Sequence, residues 1–238
     1  IRSTRENGTA SSGRIEDGTE EQYAKLKQLD YIKQVGKSIF VGEATDVSED
    51  NAKTICNVVW ADLESWNSFL KPAYTNVIGD YPQKKDEILL SERALKKRGI
   101  SEPEQGMEIN LDVYKGLFEH SKEKFKLCGW YTDSGNKLAI GYISHDKINE
   151  LNLEKGPYTL LFSQSNHLSR SKTEEKLYQA LPMKSADQKI YVSDTAQYTA
   201  VSKFAGGYEM VILGTIGILC GIYFLVRNVL WISMSEDV

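Results

Sequence analysis

Cysteine, histidine and proline are all scarce in this 238-residue chain, with three, three and five copies. Cys56, Cys128 and Cys220 form no CxxC pair and no even framework, which excludes a disulfide-built scaffold. Sequence spacing does not fix Cα distances, so a Cys56–Cys128 bridge stays an open alternative. His120, His145 and His167 are scattered, with no HExxH and no cysteine at zinc spacing, so they read as exposed or loop histidines and no metal site is expected. A strong charge of either sign is also lacking: the net charge is −4, which gives no footprint for nucleic acid. No basic-then-apolar leader opens the chain, and the chain reads as a piece of something longer. Long apolar runs are missing with one exception. The mean hydropathy is −0.40, yet no charged residue occurs from position 210 to position 226.

What is present reads as alternating strands and helices joined by short connections, an α+β class. Residues 1–18 are polar and rich in Gly, Ser and Thr, and read as a lead-in. Thr19 and Gln22 have capping-box form and open a helix expected over 20–34, ended by Gly36. Strands are expected at 38–43 and 54–62, and a short helix at 63–70 stops before Pro72. A turn follows at 79–82. Residues 87–90 read as a buried strand, and Ser91 caps a helix to Arg98 closed by Gly99. Strands follow at 107–114, 124–132, 138–144, 158–163 and 189–193, with helices at 146–151 and 172–181. Trp60, Trp66 and Trp130 read as residues of the core or of a lobe boundary, and nothing in the sequence favours the alternative of a ligand cleft.

The tail differs. Residues 204–232 can form one helix whose charge-free stretch spans roughly 25 Å, flanked by Tyr208 and Trp231. This reads as a membrane span. Gly207, Gly214 and Gly221 recur every seven residues, and Gly217 with Gly221 makes a GxxxG, a small-residue face on which another helix can pack.

Three features of the sequence bear on enzyme chemistry. Gly36-Lys37-Ser38 ends like a phosphate loop, but Tyr31 stands where the first glycine is required, so no Walker loop is expected. Ser144-His145-Asp146 are neighbours in sequence, whereas triads are assembled from distant segments; Ser144 or Asp146 reads as a helix cap. There is no GxSxG. The chain is read as having no catalytic residues and no cofactor.

Segment 81–100, YPQKKDEILLSERALKKRGI, followed by QGMEINL at 105–111, resembles a pattern in the external domain of FtsX-like ABC-transporter permeases of the MacB type. The matching positions are Glu87, Ile88, Leu90, Ser91 and Gly106, with Asp86 where the pattern often has Asn. FKLCGWY at 125–131, with Gly129, is similar to the strand that follows there. VRNVLWISMSEDV at 226–238 looks like the end of the second membrane helix of Gram-positive members; Asn228, Ile232, Ser233, Ser235 and Asp237 carry the match, and Glu236 stands where Arg is usual.

The resemblance implies a two-lobed external domain over 19–203, a transmembrane helix over 204–232, and the start of a cytoplasmic coupling region at 233–238. It implies a location in the cell membrane with residues 1–203 outside it. It also implies a cytoplasmic ATP-binding subunit, a second permease subunit forming a dimer, contact with membrane lipid, and mechanotransmission through the helix. A peptide or lipoprotein is the kind of substrate such proteins serve. Two further readings stay open: the sensor domain of a single-span receptor, and a membrane-tethered enzyme.

Overall fold

The computed structural model describes residues 11–46, 53–115, 119–133, 138–165, 169–185, 187–192 and 215–227. Residues 1–196 cluster as one compact unit and 197–238 as a second.

In the first unit the strands are β1 (Gly13–Gly18), β2 (Ile32–Asp46), β3 (Cys56–Ala61), β4 (Thr75–Gly79), β5 (Glu87–Ser91), β6 (Glu108–Tyr114), β7 (His120–Thr132), β8 (Ile140–Ile143), β9 (Tyr158–Gln164) and β10 (Ile190–Val192). The α-helices are α1 (Glu20–Leu26), α2 (Glu92–Lys97), α3 (His145–Glu150) and α4 (Arg170–Ala180). A π-helical turn at Ser65–Leu70 and a 3-10 turn at Lys71–Ala73 connect β3 to β4.

All ten strands share one sheet in the order β10-β1-β9-β2-β3-β8-β5-β7-β4, with β6 bridging β2 and β7. Six of them close into a ring, β2-β3-β8-β5-β7-β6 and back to β2. Two long strands make the closure possible. β2 pairs with β9 through its first half and with β3 through its second, and at Glu43 and Ala44 it pairs with β6 as well. In β7, Lys126 pairs with Glu108 on one side and Glu87 on the other. One continuous sheet joins the strands from β1 to β10, and β2 carries it from the β10-β1-β9 edge into the ring.

Alternation along the strands builds two cores. Ile88 and Leu90 of β5, Val58 of β3, Phe125 and Leu127 of β7 and Ile143 of β8 join the larger cluster. Leu89, Ala61, Tyr131 and Tyr142 point to the other face and join a smaller, aromatic one, which Trp66 of the π-helical turn covers. Full burial of side chains such as Phe125 and Leu127 is worth about 1.5–3 kcal/mol each. Trp60 and Trp66 are buried and Trp130 packs at the edge of the larger core, in agreement with their reading from sequence.

Two expectations are corrected and one strand is added. The lead-in 1–18 contains β1, whose Ile15 is fully buried and whose Gly13 and Gly18 lie close against Phe162 and Leu160 of β9. The helix expected over 20–34 ends at Leu26, and the chain is already a strand at Ile32 because Val35 and Gly36 pair with Phe162 and Leu161. Gly36 therefore lies inside a strand and ends no helix. Residues 75–79, for which the sequence reading names no element, form the edge strand β4.

In the second unit residues 215–227 are helical, and Ile216, Ile218, Leu219, Ile222, Phe224 and Leu225 are each more than half exposed. The rest of the expected helix 204–232 lies outside the described residues. Among the described residues no helix is long and apolar enough to cross a membrane.

Candidate functional site

The chain enters and leaves the first unit side by side. Gly13, Arg14 and Ile15 of β1 pair antiparallel with Val192, Tyr191 and Ile190 of β10. Whatever precedes β1 and whatever follows β10 therefore depart from the same end of the same strand pair. The local sequence secures this edge. Thr19 Oγ1 accepts from the Gln22 amide N–H at 3.2 Å and Gln22 Oε1 accepts from the Thr19 N–H at 3.1 Å, the capping box expected from sequence. The box fixes α1, and α1 places the fully buried Gln22 against residues 182–188. There Gln22 Nε2 donates to the Pro182 carbonyl at 2.7 Å and to Gln188 Oε1 at 2.9 Å. Gln188 Nε2 donates to the carbonyls of Glu16 and Asp17, each at 3.1 Å. The Tyr178 hydroxyl of α4 accepts from the Ile190 N–H at 3.2 Å. The sequence points to Gln22 only as the capping-box residue and not to Gln188 at all, because their pairing is a contact between segments 166 residues apart.

The motif residues of the external segment gather in and around β5. Glu87, Ile88, Leu90 and Ser91 lie in it, with Ile88 and Leu90 fully buried. Glu87 carboxylate accepts from the backbone N–H groups of Gln83 and Lys84, closing the turn before the strand. Ser91 Oγ accepts twice, from Ala94 N–H at 3.3 Å as the cap of α2 and from Ile140 N–H at 3.2 Å at the start of β8. Asp86 pairs with Lys126 at 3.1 Å; the charge of Asp, where the pattern often has Asn, is used in this pair, which holds the Asp86 carboxyl below its usual range. Gly106 adopts φ +88°, a left-handed conformation that favours glycine. Gly129 lies where β4 crosses β7: a Cβ there would collide with the Ile78 carbonyl and stand 3.0 Å from Gly79 Cα. These residues are brought together as fold-determining contacts and not around a reacting centre.

Of the helix-packing residues, Gly217 and Gly221 lie on helix 215–227, and a Cβ on either meets nothing within 4 Å. Gly207, Gly214, Asn228, Ile232, Ser233, Ser235 and Asp237 lie outside the described residues.

Among the described residues the candidate catalytic side chains are engaged in caps and local pairs. Ser144 Oγ accepts from Lys147 N–H and caps α3, as its position suggested. His120 Nδ1 lies 2.8 Å from Asp112 and its ring stacks on Tyr114. His167 is outside the described residues. Among the described residues no cluster of three or more His, Cys, Asp or Glu is placed to hold a metal. Cys56 is buried in the larger core and Cys128 lies on the aromatic face, both as free thiols that burial pushes up to about 12.

The aromatic cluster stiffens the ring. Tyr74 stacks on Tyr131 at 4.1 Å and its hydroxyl lies 2.6 Å from that of Tyr142. Burial pushes the Tyr74 phenol up to about 12, partly offset by the hydrogen bond from Tyr142. The Tyr81 hydroxyl accepts from Ala61 N–H at 2.9 Å and donates to Ala61 C=O at 2.8 Å, pinning the end of β3. Beside it opens a groove of about 470 Å³. Its lining includes the buried Tyr23, Trp60, Ala61 and Tyr81 and the acids Asp62, Glu64 and Asp146.

No family model matches the sequence, and no curated protein matches it. Among solved structures the chain is similar to the periplasmic region of MacB from Actinobacillus actinomycetemcomitans, with a TM-score of 0.55 and 15% identity over 82% of this chain and 94% of that one. It is also similar to a domain of a putative permease from Porphyromonas gingivalis, with TM-score 0.47 and 12% identity over 76% of this chain and 83% of that one. The extracellular domain of YknZ, a noncanonic ABC-type transporter from Gram-positive bacteria, gives TM-score 0.46 and 13% identity over 68% of this chain and 81% of that one. The fold assignment rests on the first of these. The mixed α/β architecture that the resemblance implied is the observed fold.

Proposed function

We propose that this chain supplies the external domain and second membrane helix of an ABC-type permease subunit. In this reading residues 13–192 stand outside the membrane and 204–232 span it. Residues 233–238 begin the cytoplasmic region that couples to an ATP-binding subunit.

The observation that carries the reading is the pairing of β1 with β10 in a fold like that of the MacB periplasmic region. A domain inserted between two membrane helices must receive and return its chain on one side. An antiparallel pair at the sheet edge does so with the shortest connection, and the glutamines behind it tie both segments to one body. The charge-free stretch 210–226 supplies the apolar length for a span. Its helix closes its own backbone hydrogen bonds, as lipid requires. No proline interrupts residues 204–232, so the helix has no built-in hinge and can deliver motion from one end to the other. The open faces of Gly217 and Gly221 suit close approach by a helix of the same subunit or of a second permease subunit. No enzymatic step is assigned to the chain; ATP hydrolysis belongs to its partner.

The intact subunit containing this chain, purified with a tag from its native membrane in mild detergent, tests the reading. An ATP-hydrolysing subunit or fused ATPase domain is expected with it. A kinase or signalling module after residue 238, with no ATPase present, would favour the receptor reading instead.

A further inference from the structure

The antiparallel pairing of β1 with β10 decides how this edge answers a pull. Gly13 lies opposite Val192, Arg14 opposite Tyr191 and Ile15 opposite Ile190. The chain enters at Gly13 and leaves at Val192, so both chain ends load the same end of the ladder. Its bonds run across the strands. Drawing the two chain ends apart therefore opens them one rung at a time, from Val192 inward. A pull along the strands would load every rung at once.

The two strands are not held equally. β1 is paired on both sides, with β10 and, at Gly13, Arg14, Ile15 and Gly18, with β9. Ser12 adds two bonds at the loaded end: its N–H donates to the Phe162 carbonyl at 2.7 Å, and its buried Oγ accepts from Gln164 N–H at 2.9 Å. β10 is three residues long and has only β1 beside it among the described strands. Its Ile190 N–H is given to the Tyr178 hydroxyl, and its exposed Tyr191 ring meets only the Arg14 guanidinium, 4.9 Å from the ring centroid. Two residues before Ile190 the chain is clamped again. Gln188 is buried, and its side chain bonds Gln22, the Glu16 and Asp17 carbonyls and Lys184 N–H. None of these bonds belongs to the β1–β10 ladder.

We propose that β10 is a strap released by force. A pull that separates the entering and leaving chain peels β10 from β1 and stops at Gln188, while β1 stays on β9 and the six-stranded ring stays closed. A displacement of both chain ends together leaves the ladder unloaded and moves the whole body. The edge yields to separation and transmits joint movement. Ile190 and Val192 are buried in the closed strand, so the strap returns to its place when the pull ends. The inference goes beyond the permease reading and does not depend on it, because the test supplies the pull from outside.

The test holds the full chain in nonionic micelles in optical tweezers, by handles on p-azidophenylalanine in place of Arg2 and Ala196. Cys128 and Cys220 are changed to Ser. A short reversible opening is expected before the domain ruptures, of roughly 10 Å for three residues at about 3.5 Å each. Arg14→Cys with Tyr191→Cys places two cysteines directly opposite, at the spacing of about 4.5–5.5 Å between Cα atoms that a disulfide accepts. Oxidation of this pair should abolish the early opening and leave the rupture, and reduction should restore it. Gln188→Ala removes the stop and should roughly double the early opening. Rupture in one step with no earlier opening, an early opening that survives the disulfide, failure of the two cysteines to join, or an opening of unchanged length in Gln188→Ala would each overturn the proposal.

Discussion

Gln22 and Gln188 hold each other through both side-chain amides: Gln22 Nε2 donates to Gln188 Oε1 at 2.9 Å, and Gln188 Nε2 donates to Gln22 Oε1 at 3.2 Å. They are 166 residues apart in sequence. Gln22 belongs to the segment that enters the domain and Gln188 to the segment that leaves it. Their amides also bond the Pro182, Glu16 and Asp17 carbonyls, and Gln188 Oε1 accepts from Lys184 N–H at 2.9 Å. The pair joins the two points at which any load carried by the chain ends would arrive.

Gln188→Ala is expected to destabilise the domain by about 2–3 kcal/mol, because it leaves the buried Gln22 amide and the Lys184 N–H without their partner. Urea unfolding of the full chain in micelles measures the loss, and hydrogen exchange should show β10 losing protection first. An unchanged unfolding midpoint would show that the pair holds nothing.

Gly36→Ala is expected to destabilise by about 1–3 kcal/mol, the usual cost of forcing an atom into a packed site. The added Cβ would stand 2.6 Å from Ser65 N and 2.7 Å from Ser65 Cα, so the π-helical turn must move away from β2. Ser65→Ala in the same chain should not restore stability, since the obstruction includes backbone. Thermal unfolding of the single and double variants checks both statements.

Gly129→Ala should free the β4 edge without dissolving the core, because the new Cβ meets Ile78 and Gly79 of β4 and the side chain of Leu89. Hydrogen exchange would then rise in 75–79 and stay low in β5 and β8. Equal protection of β4 in both proteins would contradict this.

The aromatic cluster sets an alkaline limit. Burial raises the Tyr142 and Tyr131 phenols well above their ordinary value and Tyr74 to about 12. A folded pKa above the unfolded one, near 10, means that the stabilisation is complete below about pH 10 and is lost as pH rises through the folded value. Tyrosinate absorbance at high pH should therefore contain a delayed fraction that appears together with loss of near-ultraviolet circular dichroism. Complete ionisation of all tyrosines near pH 10 with the fold intact would refute it.

Much of the ring was legible in the sequence because its signals are local. Glu87–Ser91 alternates or runs apolar as a buried strand does, Ser91 is a capping residue and Gly99 a stop; the structure has a strand, a capped helix and φ +75° at Gly99 in that order. The edge was not legible. β1 carries one large apolar residue, Ile15, and owes its pairing to Leu160, Leu161 and Phe162, more than 140 positions away. The helix expected over 20–34 has an approximate apolar stripe at Tyr23, Leu26, Leu29 (or Asp30) and Ile32, and tertiary pairing with β9 overrides it past Leu26. The groove escaped for the same reason, since its lining comes from β3's end, from α3 and from the turn at Pro82.

Gly221→Leu separates the two units. A Cβ at Gly221 meets nothing within 4 Å, so unfolding of the isolated chain in micelles should not change. In the assembled transporter the same substitution should uncouple ATP hydrolysis from activity by blocking the close approach of a neighbouring helix. Unchanged coupling would mean that the glycine face packs against nothing.

The orientation of the chain across the membrane tests the central proposal most directly. Lys84 has a side chain 78% exposed on the first unit, and Ser235 lies beyond the apolar stretch. In a chain with Cys128 and Cys220 changed to Ser, Lys84→Cys and Ser235→Cys are probed separately with a membrane-impermeant maleimide on intact spheroplasts. Labelling at position 84 without permeabilisation, and at position 235 only after it, is the predicted result. Labelling of both positions from the same side would contradict it.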